Sequence, residues 1–234
     1  MKPLHFFSLL ATTALLPLAT SADEIHLSEK ESPDEVVVYY MNDMQNQGEI
    51  AGPNFAGVEE ASVGFHIGDL GDATTPGHMR KNFLMFHLPS LGGKKITNAT
   101  LRLFLSKISH EAEEKPLPPA WLFHAEKWND AAWLSDLQGH GLQNQHFSDK
   151  ESFTTKLPLC GPDDQPGVIE LEVTGMIQSD YQRNPEPVAV FRMEISDFEA
   201  LDIADSLPNA YRFVGTGSLN QPDKTPTLIL SFED

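Results

Sequence analysis

Ile96-Thr97-Asn98-Ala99-Thr100-Leu101-Arg102-Leu103-Phe104-Leu105-Ser106 decides the fold class. Leu101, Leu103 and Leu105 recur at every second position, while Thr100, Arg102 and Ser106 take the positions between them. Side chains alternate across a strand, so this spacing describes a β-strand with one face in a core and one toward water. Phe104 interrupts the polar face, which predicts that a loop covers it. The period recurs on both sides of this stretch. Val63, Phe65 and Ile67 share a face upstream, as do Leu84, Phe86 and Leu88. Val36–Tyr40 is β-branched or aromatic at every position, as in a strand covered on both sides. Downstream, residues 121–125, 168–173, 189–195, 211–214 and 225–232 read the same way.

Helix signals are few. Thr174 is placed to cap a short helix running through Met176 and Ile177 to Tyr181, ended before Pro185. The 17 prolines and 16 glycines fall between short strands, as in Pro89-Ser90-Leu91-Gly92-Gly93 and Pro162-Asp163-Asp164, where they favour chain reversal. Together these signals predict an all-β fold, an antiparallel sandwich or barrel, with one short helix. Residues 135–167, polar and rich in Gly and Pro, read as a long surface loop.

The ends of the sandwich follow from composition. Lys2, the apolar run Phe6–Leu18 and the small residues Thr20-Ser21-Ala22 have the form of a cleaved signal peptide over 1–22. The run is shorter than the roughly 17–25 residues of a membrane span. The expectation is an exported protein, secreted, periplasmic or at the cell surface, with no transmembrane segment. Residues 23–34 then form a loose acidic segment and 35–234 a single domain. Cys160 is the sole cysteine, which excludes an internal disulfide; it reads as a small apolar residue.

Charge removes one class of partner. The 234 residues carry 16 Lys+Arg against 34 Asp+Glu, a formal charge of −18. Binding to nucleic acid needs clustered cations to displace phosphate counterions, and no such cluster is present in the sequence.

An ordered set of short motifs adds a family resemblance. It comprises Asn54-Phe55-Ala56-Gly57, residues 80–88 and 96–103, Trp128-Asn129-Asp130-Ala131-Ala132-Trp133, the Val173-Thr174 turn and Thr225-Pro226-Thr227-Leu228. Over roughly residues 34–234 the chain resembles the DNRLRE-domain family of bacterial exported proteins, which overlaps with jelly-roll carbohydrate-binding modules. The string that names the family is absent. The resemblance implies an extracellular antiparallel β-sandwich of jelly-roll type without catalytic residues, often attached to surface or polysaccharide-degrading proteins.

Signatures of covalent catalysis are missing from the sequence. Gly215-Thr216-Gly217-Ser218 lacks the final glycine of a nucleophile elbow, and Cys160 has no surrounding motif. Candidate ligand-binding residues are Trp121 and Trp133, as flat rings for sugar stacking, and His66 and His87, on the second faces of strands. Each has an ordinary alternative, since large rings in a sandwich more often fill its core. Asp69 and Asp72, after a strand, are candidates for a structural calcium ion, the hard cation that abundant carboxylates suit; turn aspartates more commonly cap backbone amides. A carboxylate pair such as Glu126 and Asp130 could in principle do glycosidase work, but it needs a set separation, and among 34 acids some such pair is expected from composition alone. The leading expectation is a non-catalytic exported module that binds polysaccharide or serves as a structural or adhesive cell-surface component. The alternative is a polysaccharide lyase or glycosidase with its site on the concave sheet face.

Overall fold

The computed structural model describes residues 23–28, 36–44, 49–54, 60–66, 78–110, 117–126, 151–183, 187–195, 209–215 and 221–233. Twelve strands are β1 (Asp23–Ser28), β2 (Val36–Met44), β3 (Glu49–Asn54), β4 (Glu60–His66), β5 (His78–His87), β6 (Lys95–His110), β7 (Ala120–Ala125), β8 (Phe153–Cys160), β9 (Gly167–Glu172), β10 (Val188–Ile195), β11 (Asn209–Val214) and β12 (Thr227–Glu233). Among the described residues one helix, α1 (Thr174–Arg183), separates β9 from β10, and a 3-10 turn at Pro222–Lys224 precedes β12. The fold is an all-β sandwich of two antiparallel sheets.

One sheet runs β9-β6-β12-β1, and the other runs β8-β7-β10-β5-β2-β3. β11 and β4 join them, because β11 pairs with the far end of β6 and β4 with the near end of β5. The chain alternates between sheets through β5, β6 and β7, and again through β8, β9 and β10, so each strand's apolar face closes on a sheet made from distant sequence.

The decisive stretch forms the middle of β6. Leu101, Leu103 and Leu105 are buried in a core shared with Leu84, Phe86, Phe191, Met193, Leu228 and Leu230. Phe104 lies on the opposite face, where Lys224 of the 3-10 turn sits 4.3 Å from the ring centre. The expected cover over Phe104 is therefore this turn. Burial of a Leu or Phe side chain contributes about 1.5–3 kcal/mol, so these alternating positions dominate stability. Gly92 and Gly93, at φ 60° and 97°, supply the left-handed backbone of the β5–β6 turn.

Three expectations change. Residues 23–28, read as loose, form β1, which pairs with β12 along its whole length from Asp23↔Phe232 to Ser28↔Thr227. The loop read over 135–167 contains β8. Pro158 hides it in the sequence, but among the described residues β8 pairs with β7 alone, and proline is tolerated on such an edge. Thr174 does not cap its own helix with its hydroxyl. That Oγ1 accepts the Ala99 amide at 2.8 Å, while Glu172 Oε1 accepts the Thr174 amide at 2.8 Å. The side chain therefore ties α1 to β6, and the preceding acid satisfies the exposed helix donor.

Candidate functional site

α1 lies against β6 and β10 and turns a mixed face inward. Ile177 and Asp180 are its buried residues, three apart and so on one side. Gln178 Nε2 donates to the Ile96 carbonyl at 3.0 Å, and the Tyr181 hydroxyl donates to the Pro89 carbonyl at 2.7 Å. These bonds fix the helix rotation that points Asp180 at the sheet.

The group it meets is His124. On β7 the inward positions are Ala120, Leu122 and His124, since His124 pairs with Phe191 and Leu122 with Met193. His124 Nε2 lies 2.9 and 3.1 Å from the two carboxylate oxygens of Asp180. The residues are 1% and 2% exposed, and the imidazole is tilted against the Phe191 ring at 5.5 Å. Burial pushes the Asp180 carboxyl above its ordinary value, and the hydrogen bond and positive charges of His124 and Arg183 oppose this without cancelling it.

Beside this pair is an open cleft of about 320 Å³, lined by residues of β7, β8, the end of β9 and α1. Glu126, Thr155, Glu172, Ser179 and Arg183 supply its polar groups, and Leu157, Val173 and Met176 an apolar strip. Glu126 follows His124 by two positions, and Thr155 pairs with His124 across the ladder. The Thr155 hydroxyl donates to the Glu126 carboxylate, and with Thr154 it holds that carboxyl below the usual carboxylate range. Arg183 closes the rim, donating from Nη1 to the Glu126 carbonyl. The arrangement offers hydrogen-bond acceptors, hydroxyls and one guanidinium above a buried, carboxylate-oriented imidazole.

Of the residues singled out in the sequence, Glu126 lines this cleft, while Trp121 and His87 lie on the other face of the sheet. Trp121 is on the opposite face of β7, half-buried, with the Lys156 ammonium 4.4 Å from its ring centre. That cation occupies a face a sugar ring would need. His87 is half-buried at the end of β5, opposite Val188, and shares the outer face with Trp121. Trp121 is opposite Glu194, so six residues of β10, about 20 Å, separate the two. His66 stands opposite His78 where β4 meets β5. Trp133, Asp69, Asp72 and Asp130 lie outside the described residues. Asp164 caps a turn, accepting the Gly161 amide at 2.7 Å. Among the described residues no group of three or more His, Cys, Asp and Glu could hold a metal ion, and no helix is long and apolar enough to cross a membrane. Cys160 is buried, and desolvation first, then the Asp164 charge, pushes its thiol up to about 12, the opposite of an activated nucleophile.

His124 and Asp180 were not among the sequence candidates, yet each left a signal. His124 occupies an inward position of an alternating strand. Asp180 falls in the stripe Met176, Ile177, Asp180, Tyr181 of a short helix. An ionisable group on each of two apolar faces implies a buried partner.

The site thus belongs to the class of polar clefts at the margin of an all-β sandwich. Compared with known proteins, the chain matches no family model and no curated protein, so its resemblance to the DNRLRE-domain family gains no support there.

Proposed function

We propose that this protein is an exported, non-catalytic β-sandwich module that binds polysaccharide in the cleft between β7, β8 and α1. One observation carries the reading: the cleft sets Glu126, Thr155, Ser179 and Arg183 beside the apolar strip of Leu157, Val173 and Met176. Sugars present hydroxyls at their edges and C–H groups on their faces, and this lining answers both. Its volume is at the lower end of the roughly 300–1,000 Å³ common for ligand sites, enough for a short stretch of glycan. The signal-like residues 1–22 support export.

Titration with a panel of polysaccharides, followed by calorimetry and by amide spectra, tests the reading. Saturable binding is expected, with shifts centred on Thr155, Gly175 and Ser179. Absence of binding, with and without calcium, would overturn it and leave the structural or adhesive surface role.

A second reading, a polysaccharide lyase or glycosidase, is favoured by the Asp180-oriented His124 beside the ionised Glu126. A perturbed carboxyl at a cleft is a feature of acid–base sites. Its test is release of reducing ends or unsaturated products from acidic and neutral polysaccharides; no product from any of them removes it.

A further inference from the structure

The charges around the cleft do not balance. Among the described residues, Glu126 and Glu172 line it, and Arg183 is the cation beside the buried His124–Asp180 couple. Arg183 is already matched: its Nη1 donates to the Glu126 carbonyl, and its charge acts on the Glu126 carboxylate. Glu172 gives Oε1 to the Thr174 amide and keeps Oε2 for a further donor. Among the described lining residues two carboxylates therefore stand against one guanidinium, within a chain whose formal charge is −18. Acceptors also outnumber donors, because Glu126 and Glu172 accept only, while Thr155 and Ser179 do both.

We infer that the cleft selects a hydroxylated ligand carrying a protonated amine, that is, a de-acetylated amino sugar within or at the end of a glycan chain. This rests on the reading of the cleft as a glycan site and names the substrate class for it. An ammonium group places three donors against Glu126 and Glu172 and offsets the excess negative charge. An N-acetylated sugar offers hydrogen bonds without that compensation. A uronate brings a second uncompensated carboxylate to the same wall and is disfavoured both locally and by the field of the whole molecule.

Three trimers, of glucosamine, N-acetylglucosamine and galacturonate, distinguish the outcomes. They are titrated into the full chain at about pH 6, where an amine is protonated and a carboxyl held low, as in Glu126, is ionised. The glucosamine trimer is expected to bind roughly 5- to 15-fold more tightly than the other two, the range for a charge-assisted hydrogen bond over a neutral one. Glu126→Gln keeps an acceptor for Thr155 and is expected to remove most of that preference. Added salt is expected to weaken it. Equal binding of the N-acetylated trimer, or preference for galacturonate, overturns the charge selectivity while leaving the glycan reading in place. An amine preference unaffected by Glu126→Gln overturns its assignment to this cleft. Binding of none of these trimers, nor of any polysaccharide in the panel, overturns both. The comparison between trimers uses the unaltered protein, so it decides the question even where the variant is poorly folded.

Discussion

His124 on β7 and Arg192 on β10 occupy neighbouring positions of one sheet, with His124 opposite Phe191 and Arg192 opposite Phe123, yet they face opposite sides. Both are about 1–2% exposed. The inner side pairs imidazole with carboxylate in a short contact at the margin of a cleft. On the outer side a guanidinium is enclosed by aromatic rings: Arg192 Cζ lies 4.1 Å from the Phe153 ring centre and 5.5 Å from that of Phe123. Its ion pair is with Glu194, at 3.3 Å, and Glu194 is shared with Lys81 at 2.5 Å. The difference teaches how one sheet buries charge in two ways. Delocalised guanidinium tolerates an aromatic, weakly hydrated setting. A carboxylate in an apolar helix stripe does not, and its proton affinity rises accordingly.

The largest way to break this contrast is Arg192→Ala. It empties the space between Phe153 and Phe123 and leaves Glu194 with one cation fewer, so unfolding free energy should fall by about 3–5 kcal/mol in denaturant titrations. Arg192→Met keeps much of the volume and should lose clearly less; an equal loss would show that charge, not packing, carries the outer cluster.

Asp180→Asn comes next. It keeps an acceptor toward His124 but removes a carboxyl whose proton the fold holds, with an expected loss of about 2–3 kcal/mol at acid pH and a smaller one at neutral pH. The pH profile sharpens the point. Burial makes folded Asp180 hold its proton more tightly than the unfolded chain does. Its contribution to stability is full at acid pH and declines as pH rises from the ordinary carboxylate range through the raised value. In Asp180→Asn that decline should vanish from thermal midpoints measured across the interval. A profile identical to that of the unaltered protein would mean Asp180 titrates normally.

Thr174→Val tests the strut that holds α1, and with it Asp180, in place. Ala99 is fully buried, and its amide would lose the Thr174 acceptor, for about 1–2 kcal/mol by chemical unfolding. Smallest is Arg102→Gln on the other sheet. Its pair with Glu170, at 2.8 Å, has side chains 40% and 51% exposed, and solvent and salt screen it; a change under about 1 kcal/mol is expected. A larger change would erase the distinction between buried and surface pairs.

Period-2 alternation made most of the fold legible. The inward residues of β6, β9, β10 and β12 can be named from spacing alone, because a strand allows only two side-chain directions. β8 escaped because Pro158 and two threonines disguise its alternation, and β1 because an acidic edge strand looks like a solvated tail. The site was less legible. Glu126 was singled out for a different pairing, with Asp130. Trp121 and His87, chosen for their chemistry, share the outer face but stand about 20 Å apart.

The sequence by itself determined the all-β class, the apolar faces of the strands, the presence of a helix after Val173 and the acidic balance. These follow from local periodicity and composition, which need no knowledge of neighbours. Only the tertiary structure decided that His124 meets Asp180, that Glu126 and Arg183 share a cleft with Thr155, and that Lys156 lies over Trp121. Such contacts join residues up to 57 positions apart. They depend on strand order and on the rotation of α1, and both are set when the two sheets close on a common core.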